Sequence, residues 1–169
     1  MANTYSFISK VSVGAGGTAS VEFTSIPSTY TDLKLVFSGK TNNTSWVSYI
    51  LEINTSASNL SQQQLTGNGT NISTSANTSQ TFIANTYSGA TNAGFSVGEI
   101  YIANYSSSDA KKILQTTSSS IANQTTAYTG IIGATWVNGS AINQIKIGEV
   151  GATIQQYTTV YLYGIKNSV

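Results

Sequence analysis

The sequence predicts an all-β fold of antiparallel strands, a sandwich or a barrel, in one domain over residues 1–169. Three features carry that reading. β-Branched and aromatic residues come in short runs separated by Gly, Asn and Ser. Apolar and polar residues alternate with period two inside the clearest runs. Good helix formers are scarce: the chain has one Met and few Glu or Lys, and Ala seldom recurs at helical spacing.

The first run, Tyr5–Val13, leads through Gly14-Ala15-Gly16-Gly17 into a second, Thr18–Thr24. Glycine supplies positive φ without steric cost, so a hairpin is expected there. The only proline, Pro27, falls in a loop before the third run, Asp32–Gly39. In that run Leu33, Leu35 and Phe37 share one face, opposite Lys34 and Ser38. In the fourth, Ser45–Ile53, residues Val47, Tyr49, Leu51 and Ile53 oppose Ser48 and Glu52. Residues from about 54 to 79 are rich in Ser, Thr, Asn and Gln, with Leu60, Leu65 and Ile72 as sparse anchors. They read as a long polar loop or the most exposed lobe. Further runs follow at Gln80–Tyr87, Gly94–Asn104, Lys111–Thr117, Tyr128–Val137 and Ile142–Glu149, and Thr158–Ile165 comes last. There Val160 and Leu162 face one way, and Tyr161, Tyr163 and Ile165 the other. A strand apolar on both faces is either covered on both sides or buried against another subunit. Tyr161, Tyr163 and Ile165 are accordingly the candidate interface residues.

Composition narrows the function. Ser, Thr, Asn and Gln supply 73 of 169 residues, and charged residues only 8%, against roughly 25% in ordinary soluble domains. Disorder by composition needs few aromatics and a high net charge, whereas here aromatics are 10% and the net charge is +1. The hydroxyls and amides therefore belong to the solvent faces and turns of strands. His, Cys and Arg do not occur. Disulfides, thiolate and imidazole catalysis, the usual zinc ligand sets and Arg clamps for phosphate are thereby removed.

The acids, Glu22, Asp32, Glu52, Glu99, Asp109 and Glu149, are scattered, and no local motif pairs two of them as a glycosidase requires. Gly14-Ala15-Gly16-Gly17 lacks the Gly-Lys-Ser/Thr of a phosphate loop. Lys111-Lys112 is the only basic pair, which makes no nucleic-acid face. No apolar stretch approaches the ~18 residues that span a bilayer, and Met1–Thr4 opens no signal peptide. The expectation is a non-catalytic structural or binding module with no cofactor, no metal site, and no nucleic-acid or membrane partner. The sequence leaves two ligands open: a sugar stacked on Trp46, Trp136 or the tyrosines, and a calcium ion on Asp32 or Asp109.

Two segments carry a resemblance. The stretch from Val11 to Leu33 contains Phe23-Thr24-Ser25-Ile26-Pro27-Ser28-Thr29-Tyr30-Thr31-Asp32-Leu33, and the chain ends in Tyr161-Leu162-Tyr163-Gly164-Ile165-Lys166 before its last three residues. Together they resemble the two ends of small virion proteins of tailed phages, especially marine and cyanobacterial ones. The resemblance covers about a quarter of the chain and brings no catalytic motif. It implies a jelly-roll-like β-sandwich on the virion surface, made in the host cytoplasm. As a capsid decoration protein it would bind the major capsid protein as a homotrimer and cement the lattice. The alternative is a tail-fibre or appendage knob binding a host-surface receptor or glycan. A fibre shaft needs heptads or an intertwined β-repeat, and the chain has neither, which favours decoration.

Overall fold

A computed structural model describes residues 4–43, 46–78, 81–87, 94–121, 127–149 and 151–166. Its strands are β1 (Tyr5–Ser12), β2 (Ser20–Phe23), β3 (Asp32–Gly39), β4 (Trp46–Ile53), β5 (Leu60–Gly67) and β6 (Ile72–Asn77). They continue with β7 (Thr81–Tyr87), β8 (Ser96–Ile102), β9 (Lys112–Ile121), β10 (Ala127–Trp136), β11 (Ile145–Glu149) and β12 (Thr159–Ile165). Every ladder is antiparallel. The large sheet runs β1-β12-β3-β8-β9-β10-β5-β6 and the small one β2-β11-β4-β7.

The topology is a jelly roll with two inserted hairpins. Setting β5–β6 and β9–β10 aside, the chain pairs first strand with last and works inward: β1 with β12, β2 with β11, β3 with β8, β4 with β7. These pairs form one long ribbon. Rolled up, its first and third pairs fall in the large sheet and its second and fourth in the small one. The inserted hairpins continue the large sheet beyond β8, so it overhangs the small sheet.

The alternation read from sequence sets the core. Leu33, Leu35 and Phe37 point inward from β3, Val160 and Leu162 from β12, and Ile100 and Ile102 from β8. They meet Val21, Phe23, Tyr49, Leu51, Ile53, Ile145 and Ile147 of the small sheet. Each such fully buried aliphatic side chain contributes about 1.5–3 kcal/mol relative to exposure. In β4 the Val47 side chain lies outside the described residues.

Two expectations need correction. The polar stretch at 54–79 is not a loop: β5 and β6 pair in register from Gln62↔Asn77 to Gly67↔Ile72, around an Asn68-Gly69-Thr70-Asn71 turn. Asn68 Oδ1 accepts from the Thr70 and Asn71 amides, and Gly69 takes φ +83. The period-two signal was absent because Gln and Thr stand at inward positions, where Gln62 and Thr66 are buried. Gly14–Gly17 is a turn, with the Gly17 amide donating to the Gly14 carbonyl at 3.0 Å. It is not a hairpin, because it carries the chain from the large sheet to the small one, and β1 and β2 are not ladder neighbours.

Two charged residues, Asp32 and Lys112, are buried. Lys112 donates to the carbonyls of Ser107 (2.7 Å), Gly139 (2.9 Å) and Ala110, using all three ammonium protons to tie two loops together. Its Nζ also lies 5.8 Å from the centre of the Trp136 ring. Burial pushes the Lys112 ammonium below the ordinary lysine range, while Asp109 pulls the other way.

Candidate functional site

Outward positions of the large sheet form a grid set by ladder register. Partners directly opposite share a face, so Phe7, Tyr163, Lys34, Tyr101 and Gln115 form one row across β1, β12, β3, β8 and β9. The next row is Lys10, Tyr161, Val36, Glu99 and Thr117. A register shift between Phe7 and Ser9 lets Phe7 and Lys10 both face outward despite their odd spacing.

The result is an aromatic field with cations seated on it. Tyr161 and Tyr163 stand side by side with centroids 6.3 Å apart and planes 19° from parallel. Phe7 meets Tyr163 edge to face at 6.0 Å. Lys10 Nζ lies 5.3 Å from the Tyr161 centroid, and Lys34 Nζ 5.7 Å from that of Tyr5. Lys34 also pairs with Glu99 at 2.8 Å. Tyr5 and Phe7 are 53% and 60% exposed, so the field is open to a partner.

Of the three residues singled out from sequence, the structure brings two together. Tyr161 and Tyr163 are half-buried members of this field. Ile165 is not: it is 5% exposed within its own chain and offers no contact surface. It lies where the ladder ends and the loop before β3 closes in, with the Thr31 amide donating to the Ile165 carbonyl at 2.8 Å. Sequence reasoning missed Tyr5, Phe7, Lys34 and Tyr101. The bulge in β1 broke the period that would have assigned Tyr5 and Phe7, and only the cross-strand register reveals their neighbours.

Beside the aromatics lies a depression of about 450 Å³, bounded by Tyr161, Val36, Val97 and Glu99, with Ser38, Thr117 and Ser119 at its sides. Gly98 stands in its floor, where a Cβ would strike the Phe37 ring beneath.

The carboxylates are engaged one by one rather than gathered. Asp32 accepts the Tyr101 hydroxyl at 2.5 Å and the Asn104 amide at 2.8 Å. That bond pushes the Tyr101 phenol up to about 12, because its ionisation would set a second charge beside Asp32. Glu52 pairs with Lys146 at 3.0 Å, Glu22 accepts from the Gln144 amide, and Asp109 accepts the Ser108 hydroxyl at 2.9 Å. Among the described residues no three His, Cys, Asp or Glu side chains cluster to hold a metal ion. No helix of the described chain is long and apolar enough to cross a membrane. Trp136 is 1% exposed and packed in the core, so it is no sugar platform. The Trp46 and Glu149 side chains lie outside the described residues.

No family model matches the chain, and neither a curated protein nor a solved structure is significantly similar to it.

Proposed function

We propose that this chain is a non-catalytic virion protein, a phage capsid decoration protein that lays the outer face of β1, β12, β3 and β8 on the major capsid protein. The aromatic field carries the reading. Tyr5, Phe7, Tyr161 and Tyr163 present broad, stiff surface at low entropic cost, and residues of this kind anchor protein interfaces. A stable contact needs about 800 Å² from each partner, which a face four strands wide can offer. The resemblance of the two chain ends to small phage virion proteins supports the same assignment, and so does a chain with only 8% charged residues, whose contacts lose little to salt screening. The test is capsid heat stability. Capsids carrying the chain should release DNA at a higher temperature than capsids without it, and Phe7→Asp with Tyr163→Asp should abolish the gain. Equal release temperatures with and without the chain would refute cementing.

A second reading, a receptor-binding knob, is favoured by the depression beside Tyr161. There an aromatic wall, the hydroxyls of Ser38, Thr117 and Ser119 and the Glu99 carboxylate surround a space large enough for a sugar ring. Glycan-array binding lost on Tyr161→Ala would favour this reading. An array without binding at high protein concentration would remove it.

A further inference from the structure

The two edges of the large sheet are built differently. Both leave backbone groups unpaired, and an edge of that kind is a template for another strand unless it is guarded. β1 is guarded: its register shifts between Phe7 and Ser9, and Lys10 stands on it. β6 is not. It pairs with β5 without a register shift, contains no proline, and lies inside a stretch with no charged residue between Glu52 and Glu99. Five of its six side chains are exposed, on both faces, because the hairpin overhangs the small sheet. Half of its residues aim N–H and C=O away from β5. Ile72 is 78% exposed, the highest exposure among the large apolar side chains described.

We infer that β6 pairs antiparallel with β6 of a second copy of this chain, merging two large sheets into one across a twofold axis. A twofold contact uses the same patch on both copies, so a single unguarded edge completes it. A partner selected by charge would have nothing to read between Glu52 and Glu99. Ladder register with β5 places Ile72, Thr74 and Ala76 on the outer face, opposite Gly67, Leu65 and Gln63. Centring the pairing on Thr74 keeps the outer faces continuous and sets Ile72 against Ala76 of the second copy. Leu65 and Ile131, neighbours on the same face at 47% and 50% exposure, extend that apolar strip on both sides of the axis. The assembly is twofold, not the threefold one that the resemblance implies, and it is independent of what the aromatic field binds.

The chain contains no cysteine, so a single introduced thiol reports the contact directly. In Thr74→Cys the two thiols face each other across the axis within disulfide reach, and mild oxidation should yield a covalent dimer. Thr129→Cys, likewise exposed on the same sheet face but away from the edge, should yield no covalent dimer. In sedimentation equilibrium the wild-type chain should reach twice 17.7 kDa, and Thr74→Lys, which opposes two ammonium groups, should weaken that association at least tenfold with an unchanged circular dichroism spectrum. A wild-type chain that stays at 17.7 kDa up to ~100 µM, a trimer, or a dimer insensitive to both Thr74 variants would overturn the inference.

Discussion

Following one inward row across the large sheet passes from Leu35 on β3 to Ile100 on β8, then to Thr116 on β9, Ile132 on β10 and Gln64 on β5. The neighbouring row runs Phe37, Gly98, Ser118, Gly130, Thr66. Through β3 the inward side chains of these rows are aliphatic or aromatic, and β8 adds Ile100 and Gly98. From β9 onward they are largely hydroxyls, glycines and amides, and Gln62, Thr66, Thr116 and Ser120 are all buried. The first half is held by close packing around one apolar cluster. That cluster reaches the second half through Leu60, Leu114, Ala134 and Trp136, and the rows beyond them rely on ladder hydrogen bonds and on local links such as Gln64 Nε2 to Thr66 Oγ1 at 2.6 Å. The jelly roll thus supplies the stability, and the inserted hairpins ride on it, widening the sheet and exposing an edge.

Substitutions in the two halves should differ in size. Leu35→Ala, in the apolar half at 0% exposure, should lower unfolding free energy by about 3 kcal/mol, whereas Thr116→Ala, two strands along the same row, should lose less than about 1.5. Denaturant titrations that gave equal losses would dissolve the distinction. Lys112 sits at the seam, on the first strand of the extension. Lys112→Met keeps the apolar stem but leaves three carbonyls without their donor, for an expected loss of about 2 kcal/mol by the same titration.

Glycines sharpen the contrast. In Gly98→Ala the new methyl meets the Phe37 ring and the Thr117 carbonyl and should cost about 1–2 kcal/mol. In Gly133→Ala, on the extension, it meets nothing within 4 Å, and the unfolding free energy should change by less than about 0.5 kcal/mol.

A pH-dependent effect concerns Tyr101. Its pKa is raised from 10.0 to about 12 by the bond to Asp32. A raised folded-state value stabilises the protonated form, so the contribution is full below pH 10 and is lost as pH climbs toward 12. The stability gap between wild type and Tyr101→Phe should therefore be constant below pH 10 and close by pH 12. A gap that persisted at pH 12 would place the bond elsewhere.

The same division explains what the sequence made legible. In β3 and β12 large apolar residues alternate with polar ones, so the inward sets Leu33, Leu35, Phe37 and Val160, Leu162 were readable directly, and the ten runs all became strands. In Leu60-Ser61-Gln62-Gln63-Gln64-Leu65-Thr66-Gly67 both faces are polar, one-residue slips change little in hydropathy, and the strand leaves no periodic signal. The third through fifth positions of Thr116-Thr117-Ser118-Ser119-Ser120 hide the end of β9 in the same way: that run was read as stopping at Thr117, and the strand reaches Ile121. The outer aromatic field was half legible. Tyr161 and Tyr163 stood out by alternation, but Ile165 shares their parity without their exposure, since burial at a strand end depends on the loop that crosses it.

Cryo-electron microscopy of virions that carry this chain tests the proposed role most directly. The decoration reading predicts density spread over the capsid lattice, with the face bearing Phe7, Tyr161 and Tyr163 turned toward the major capsid protein. Density confined to the tail or to a single vertex, or a lattice contact made through the small sheet instead, would contradict it.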